Sequence, residues 1–286
     1  MVSIDNVISE PANMAFGVPQ GSVLGPILFL IFINDMPLSS RLFRYTLFAD
    51  DTCLFMSHED PKTLEDLVNS ELENIDQWLI DNRLSLNVDK SCFLLFTGKT
   101  RFQQDFKICI SDKEVSRVSA AKYLGVHIDD KLNWQLHLSH VLTKIKQGLG
   151  ALRKIKHVIS PFDLTSLYYA FIQSHLQYCV TSWGSPNTNG ITQLNHVINK
   201  SISLISKIHD KHNLLIFTPL NISDIYKLES CKLIHRFNNK VIPKPLNKLF
   251  KKPPHDHITR QIECNSVDTL VFDQSLSAVR FYGPLK

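Results

Sequence analysis

Two adjacent aspartates, Asp50 and Asp51, constrain the fold of this chain more than any other feature. They lie between two short apolar runs, residues 45–49 and 53–56, a pattern that is typical of a β-hairpin. Successive side chains leave a strand on opposite faces, so only a tight turn can direct both carboxylates to one place. A bound cation would explain such crowding of like charges. For the pair alone, a solvated Asp-Asp turn is the alternative interpretation.

A glycine-rich segment upstream of the pair favours the functional interpretation. Residues 17–26 read Gly-Val-Pro-Gln-Gly-Ser-Val-Leu-Gly-Pro. Because glycine has no Cβ, glycines at positions 17, 21 and 25 allow the backbone to come close to a ligand. The segment lacks the Gly-Lys-Ser/Thr ending of a phosphate-binding P-loop, so the sequence does not predict an ATP site of that type.

Together, these two motifs resemble motifs B and C of the reverse transcriptases of non-LTR retrotransposons, the jockey-like LINE elements. Residues 84–91, Leu-Ser-Leu-Asn-Val-Asp-Lys-Ser, are similar to motif D of that family. Residues 122–129, Lys-Tyr-Leu-Gly-Val-His-Ile-Asp, are similar to motif E. Residues 133–134 and 178–184, with the helices between them, look like the thumb and the region that follows it. The resemblance therefore covers nearly the whole chain, with four motifs in order.

The resemblance implies an RNA-directed DNA polymerase that extends a DNA primer on an RNA template, using dNTPs. Nucleotidyl transfer onto the primer 3′-OH would use two Mg²⁺ ions, with Mn²⁺ able to replace them. Asp50 and Asp51 would supply the hard oxygen ligands that Mg²⁺ prefers. Lys90 would be a third catalytic residue, a general acid that protonates the departing pyrophosphate. A solvated lysine at the start of a strand is the alternative for Lys90.

The same resemblance assigns three sets of binding residues. The expected template and nucleotide contacts are Pro19, Gln20, Gly21, Phe48 and Ala49. The expected primer grip is Tyr123, Leu124 and Gly125. The expected contacts to the nucleic-acid backbone, on the first thumb helix, are Lys144, Lys146, Arg153, Lys154 and Lys156. An ordinary solvated helix face would carry the same basic side chains.

The chain departs from the family pattern at its start. In the family the first catalytic aspartate lies in motif A, upstream of motif B, whereas Asp5 here fits the turn of a small hairpin. We therefore expect a fragment that begins just before motif B and depends on a missing upstream segment of fingers and palm. Such a fragment is expected to be inactive alone. Without the motif A strand, the sheet would have an unpaired, aggregation-prone edge along residues 45–48 or 53–56.

Two other classes of protein remain open at this point. The first is an inactive nucleic-acid-binding remnant of a retroelement, because the loss of one metal ligand removes several kcal/mol, roughly a thousandfold or more in rate. The second is an intron maturase or a viral RNA polymerase, since both carry related Asp-Asp turns. The helices after motif E favour the retrotransposon type by resemblance alone.

Charge is divided unevenly along the chain. Residues 1–130 hold 11 basic and 19 acidic residues, and residues 131–286 hold 20 basic and 8 acidic ones. An acidic first part suits a metal site, and a basic second part suits a phosphate backbone, which releases counterions when it is neutralised.

The sequence has neither a signal peptide nor an apolar run that could span a membrane. Its six cysteines are scattered, so we expect an intracellular protein of the nucleus or cytoplasm.

The patterns predict an α+β fold: a partial polymerase palm, with helices on an antiparallel sheet, followed by an all-α region. Apolar periodicity predicts helices over residues 22–34, 62–81, 134–155, 164–176, 191–208 and 225–241. Strands are predicted over residues 92–96, 106–110 and 123–128. The expected domains are a palm part (1–130), thumb and post-thumb helices (131–242), and a basic, proline-rich linker with a C-terminal tail (243–286).

Overall fold

The computed structural model describes residues 3–5, 7–10, 17–18, 21–97, 106–185, 190–211, 219–243 and 277–284. The chain divides into two compact units: residues 1–118 with 276–286, and residues 119–275. Helices and small sheets are both present, as expected for an α+β chain. The units divide the chain at residue 118 rather than 130, so the segment similar to motif E belongs to the second unit. No helix in the described part of the chain is long and apolar enough to cross a bilayer.

The first unit is built on a five-stranded sheet. Its strands lie in the order β3–β4–β11–β5–β8, where the bounds are β3 Arg44–Phe48, β4 Asp51–His58, β11 Ser277–Pro284, β5 Cys92–Phe96 and β8 Ser116–Arg117. All neighbours are antiparallel except β5 and β8. Two small hairpins complete the strands of this unit: β1 Ser3–Ile4 with β2 Val7–Ile8, and β6 Cys109–Ile110 with β7 Lys113–Glu114.

Helix α2, Pro61–Asp81, covers one face of this sheet. It begins at Asp60, whose carboxylate accepts a hydrogen bond from the Thr63 N–H at 2.8 Å, satisfying one of the free donors of the first turn. Its apolar stripe is buried at Leu64, Val68, Leu72, Ile75 and Leu79. The stripe belongs to the same apolar cluster as Leu54, Met56, Phe93 and Leu95 of the sheet. The helix predicted over 62–81 and the strand predicted over 92–96 are both confirmed.

The C-terminal strand β11 changes the expected sheet. Residues 243–286 were expected to form a linker and tail, yet residues 277–284 pair with β4 on one side and β5 on the other. The unpaired edge was expected along residues 45–48 or residues 53–56, and residues 53–56 have a partner on both sides. Strand β3 does lie at the edge of the sheet.

The second unit combines one hairpin with a group of helices. The hairpin joins β9 Ala120–Tyr123 and β10 Val126–Asp129, so the single strand predicted over 123–128 is wrong. Its helices are α3 Gln135–Ile155, α4 Pro161–Tyr168, α5 Ser174–Gln177, α6 Val180–Trp183, α7 Ile191–Lys211 and α8 Ile222–Asn238. A π-helical turn, Tyr169–Gln173, joins α4 to α5. The shared apolar core includes Leu138, Ile145, Tyr168, Trp183 and Ile198.

Candidate functional site

The acidic pair lies at the tip of the β3–β4 hairpin. Phe48 and Asp51 are Cα partners in the ladder, so Ala49 and Asp50 form a two-residue turn. Ala49 has a φ of +50°, a left-handed conformation that costs a residue with a Cβ roughly 1–2 kcal/mol. Both carboxylates are exposed, as is Phe48 at 60%. The hairpin therefore brings together four of the predicted site residues and presents two carboxylates to solvent.

A second Asp-Asp pair in the same chain has a different environment. The carboxylate of Asp129 accepts hydrogen bonds from the N–H groups of Lys131 and Asn133, both at 3.1 Å, and of Trp134 at 2.9 Å. It therefore holds the segment that leads into α3. Among the described residues, neither Asp50 nor Asp51 has such a hydrogen bond or an ion-pair partner. The local structure thus gives Asp129 a structural role and leaves the oxygens of Asp50 and Asp51 available.

Lys90 lies at the same end of the sheet as Asp51. Strands β4 and β5 both run antiparallel to β11, and Cys53 and Cys92 are both Cα partners of residue 282. Lys90 precedes Cys92 by two residues, as Asp51 precedes Cys53. It is exposed and ends a 3₁₀ turn, Val88–Lys90. The Lys90 side chain is therefore a cationic group at the same end of the sheet as the acidic tip, two strands away in the order β4–β11–β5.

The glycine-rich segment is described at residues 17–18 and from 21 onward, whereas Pro19 and Gln20 lie outside the described residues. Gly17 and Gly21 have φ values of +78° and +85°, and a Cβ at either position would meet nothing within 4 Å. Glycine is therefore needed at both positions for backbone conformation rather than for space. The Ser22 Oγ accepts the Gly25 N–H at 3.1 Å, just before helix α1, Gly25–Ile33.

Helix α1 is apolar on every side, yet Ile33 is its one buried residue. Leu24, Leu28 and Ile31, predicted to share one face, are 62%, 47% and 69% exposed. A contiguous apolar surface of this kind is rare on a folded monomer and marks a contact surface. Within the described part of the chain, no element covers it.

The segment similar to motif E forms a tight turn in the second unit. Leu124 and Gly125 have φ values of +45° and +84°, the two positive angles of a type I′ hairpin turn. The Tyr178 Oη donates a hydrogen bond to the Leu124 carbonyl at 2.5 Å, and a Cβ at Gly125 would lie 3.4 Å from Tyr178 Cε1. Tyr178 therefore covers the turn on one side. Tyr123, the third residue of the predicted grip, ends β9.

The predicted basic residues lie along α3 and at its end. Lys144, Lys146, Arg153 and Lys154 are exposed, and Lys156 is half-buried at the C-cap. The apolar stripe of the same helix is buried at Leu138, Val141, Ile145, Leu149 and Leu152. The helix thus carries its positive charge away from the core.

Sequence reasoning missed a cluster of three histidines in the second unit. The ring of His127 lies 6.4 Å from that of His137 and 4.9 Å from that of His140. Burial, followed by the charges of His127 and His140, lowers the pKa of His137 to about 4. Its Nε2 atom is buried without a hydrogen-bond partner among the described residues. The spacing of these histidines along the chain gives no sequence signal for the cluster, because the hairpin and α3 bring them together.

The described residues bring few possible metal ligands together. They contain no group of three or more His, Cys, Asp or Glu side chains arranged to hold an ion. The acidic tip therefore offers two carboxylates, which suit a hard cation that keeps waters and substrate oxygens as its other ligands. A two-ion centre needs more protein ligands than this.

Comparison with known proteins identifies the relatives of this chain. Residues 3–128 match the family described as reverse transcriptase (RNA-dependent DNA polymerase). The probable RNA-directed DNA polymerase from transposon X-element of Drosophila melanogaster is 25% identical over 280 residues, 91% of this chain and 30% of the relative.

Two further relatives come from mobile elements. The RNA-directed DNA polymerase from mobile element jockey of Drosophila melanogaster is 27% identical, covering 58% of this chain and 18% of the relative. A retrovirus-related Pol polyprotein from type-1 retrotransposable element R1 2 of Nasonia vitripennis is 27% identical, covering 58% and 43%. The chain thus spans less than half of each of these relatives. No solved structure matches it.

Proposed function

We propose that this chain is part of the RNA-directed DNA polymerase of a non-LTR retrotransposon, because residues 3–128 match the reverse transcriptase family and the relatives come from such elements. The single observation that carries this proposal is the β3–β4 tip, where two exposed carboxylates, which have no hydrogen-bond or ion-pair partner among the described residues, follow an exposed aromatic residue. Extension of a DNA primer on an RNA template, in the nucleus or cytoplasm, is the reaction we assign to the complete polymerase.

In this proposal, Asp50 and Asp51 hold Mg²⁺ beside the primer 3′ end. Bound divalent cations would supply Lewis-acid chemistry, activating the primer hydroxyl and offsetting charge on the phosphates. Phe48, 60% exposed on the strand before the turn, offers an apolar ring to the terminal nucleotide. Lys90, at the same end of the sheet, would donate a proton to the pyrophosphate as it departs.

The proposed roles of the remaining residues are binding roles. The segment with Pro19, Gln20 and Gly21 would contact the templating base and the incoming nucleotide. The turn with Tyr123, Leu124 and Gly125 would position the primer. The exposed basic side chains of α3 would bind phosphates, to which the net positive charge of residues 131–286 is also suited.

We propose further that the chain alone does not polymerise. The described residues bring two carboxylates together at the tip, and a two-ion centre that lacks one ligand loses several kcal/mol of transition-state stabilisation, roughly a thousandfold or more in rate. The same reasoning supports the second candidate function, an inactive nucleic-acid-binding remnant. The two candidates differ in whether the acidic tip still meets a primer 3′ end.

A photo-crosslinking experiment separates the two candidates without requiring activity. A DNA primer with 4-thiothymidine at its 3′ end is annealed to an RNA template, irradiated with the full chain and mapped by mass spectrometry. The polymerase proposal predicts crosslinks within residues 44–58, reduced several-fold in Phe48→Ala. Crosslinks confined to α3, unchanged in Phe48→Ala, would leave only the binding remnant.

A further inference from the structure

The backbone of Tyr178 is held from both sides within the second unit. Its N–H donates a hydrogen bond to the Ser174 carbonyl at 3.2 Å, and its carbonyl accepts the Nε1–H of Trp183 at 2.9 Å. Trp183 is fully buried, so the second hydrogen bond ties Tyr178 to the core of the unit. The next residue, Cys179, has a φ of +51°, a left-handed conformation that is costly for a residue with a Cβ. The chain therefore turns sharply just after a residue that is fixed in place.

The side chain of Tyr178 is fixed as well, although it lies at the surface. Its Oη donates a hydrogen bond at 2.5 Å to the Leu124 carbonyl in the β9–β10 turn, and its Cε1 lies 3.4 Å from where a Cβ of Gly125 would be. The residue is nevertheless 50% exposed. A ring that is already immobilised loses little further entropy when a ligand covers its open face. Such a ring is suited to stacking.

Five basic side chains from the hairpin, α3 and α5 form a basic cluster: Lys122, His127, His140, Lys144 and His175. Lys122 and His127 are Cα partners across the hairpin, so their side chains share one face. The His127 ring lies 4.9 Å from that of His140. Burial, followed by the charges of His127, Lys144, Lys122 and His175, lowers the pKa of His140. Among the described residues, no member of the cluster has an ion-pair partner, so a bound anion would relieve the repulsion within it.

The basic cluster adjoins the Tyr178 ring through two of its members. His175 lies three residues before Tyr178, about one helical turn away, and both side chains are exposed. Lys122 lies two residues before Leu124, a span of about 7 Å along a strand, and the Leu124 carbonyl accepts the Tyr178 hydroxyl. Proteins that bind single-stranded nucleic acid combine these two elements, because bases of any sequence stack on aromatic rings and cations follow the backbone.

We propose that the exposed face of Tyr178 and the basic cluster form a binding site for an unpaired nucleotide of a single strand. The base stacks on the ring, and the neighbouring phosphate lies against the cluster. Tyr178 is in addition a positioning residue, because its hydroxyl holds the turn at Leu124 and Gly125. The choice of nucleic acid as the ligand rests on the proposed function, whereas the site itself rests on the contacts within the second unit.

Variants of Tyr178 separate stacking from structural support. Tyr178→Phe and Tyr178→Leu both lose the hydrogen bond to Leu124, and only the first keeps an aromatic face. With a fluorescent single strand of deoxythymidines, Tyr178→Leu should weaken binding by about tenfold and Tyr178→Phe by about threefold at most. With an abasic strand of the same length, the two variants should bind equally, because there is no base to stack.

Tyr169 provides the matched control for the loss of an exposed ring. It is 49% exposed and lies in the same unit, and Tyr169→Leu should bind both strands as the native chain does. Equal weakening by Tyr178→Phe and Tyr178→Leu would overturn the site, because the effect would then come from the hydroxyl alone. A native chain that does not bind the deoxythymidine strand, or an equal loss in Tyr169→Leu, would overturn it as well.

Lys122 allows a second test that leaves Tyr178 intact. Lys122→Gln should reduce the slope of log K against log salt for the deoxythymidine strand by about 0.7, the value for one phosphate of a single strand. Lys131→Gln, at an exposed position after β10, removes the same charge and should keep the native slope. Equal slopes for the two variants would contradict a phosphate beside the cluster. The photo-crosslinking of residues 44–58 involves neither Tyr178 nor Lys122, so failure here leaves the proposed function separately testable.

Discussion

At the scale of single residues, Asp50 and Asp129 are each the first of two adjacent aspartates, in different surroundings. Asp129 accepts three backbone hydrogen bonds, and Asp50 accepts none from the described residues. Sequence reasoning selected the first pair from its flanking apolar runs and did not weigh the second. An aspartate has a structural role when its carboxylate accepts hydrogen bonds from backbone N–H groups, here two to five residues away. The positions of these N–H groups are fixed only by folding.

We predict that Asp129→Ala destabilises the protein and that Asp50→Ala does not. The first substitution leaves the N–H groups ahead of α3 without their acceptor, at a cost of about 1–3 kcal/mol. The second removes one of two neighbouring negative charges at an exposed turn, so the change should stay within about 0.5 kcal/mol. Urea-induced unfolding followed by tryptophan fluorescence measures both. Equal losses would show that the Asp50 turn has a structural role.

His137 should make the protein less stable in acid. With a pKa of about 4 when folded and an ordinary value of 6.5 when unfolded, the group is neutral in both states above pH 6.5. Between pH 6.5 and 4 the unfolded chain takes up a proton that the folded chain does not, so the unfolding free energy falls by up to about 3 kcal/mol. Lys122, Lys144 and His175 add positive charge around neighbouring His140.

The variant His137→Asn tests this dependence. In the native chain the backbone N–H of His127 donates a hydrogen bond to His137 Nδ1 at 3.4 Å. The side-chain oxygen of Asn can accept the same hydrogen bond, but Asn cannot be protonated. The unfolding free energy of the variant should fall less steeply between pH 6.5 and 4 than that of the native chain. Exposed His157→Asn should follow the native curve, and parallel curves for all three proteins would contradict the assignment.

At the scale of elements, periodicity in the sequence was sufficient for the long helices and for β5. The apolar stripes of α2 and α3 are strong local signals, and both helices were predicted close to their observed bounds. The turn at Leu124 and Gly125 was missed because alternation on both sides of it reads as one strand. Strand β11 was missed because its partners lie more than 180 residues away in sequence.

Two glycines of α3 should respond oppositely to alanine. A Cβ at Gly148 would lie 2.8 Å from the Phe171 carbonyl oxygen, whereas a Cβ at Gly150 would meet nothing within 4 Å. Gly148→Ala should therefore destabilise the second unit by about 1–3 kcal/mol through overpacking. Gly150→Ala should stabilise it by about 0.5–1 kcal/mol through helix propensity. Thermal unfolding of the two variants measures this, and a loss of stability in Gly150→Ala would contradict the packing around α3.

At the scale of the whole molecule, the sequence alone predicted that the first part of the chain is acidic and the second part basic. It did not predict which of the charged side chains lie together on the surface. Acidic residues outnumber basic ones by eight in residues 1–130, and basic residues outnumber acidic ones by twelve in residues 131–286. The exposure of four basic side chains of α3 away from its apolar stripe required the fold, because the helix must first direct that stripe into the core.

We predict that these four residues govern salt-sensitive binding to nucleic acid. Replacing Lys144, Lys146, Arg153 and Lys154 with Gln should weaken binding to an RNA–DNA duplex and reduce the slope of log K against log salt. The slope should fall by about 0.9 for each phosphate that the variant no longer neutralises. Filter binding at several salt concentrations measures the slope.

The charge-matched control replaces four exposed basic residues of the first unit with Gln: Arg41, Lys62, Lys113 and Arg117. Both variants lose the same net charge, so a difference between them reports position rather than overall charge. The same slope for both would contradict a binding role for α3.

The central claim is that Asp50 and Asp51 form a cation site, and paramagnetic broadening of amide signals by Mn²⁺ tests it most directly. On titration of the full chain, the signals of residues 48–52 should broaden at the lowest Mn²⁺ concentration. Asp50→Asn combined with Asp51→Asn should abolish this, whereas Asp112→Asn, at another exposed turn, should not. Broadening that begins elsewhere, or that persists at residues 48–52 in the double variant, would contradict the claim.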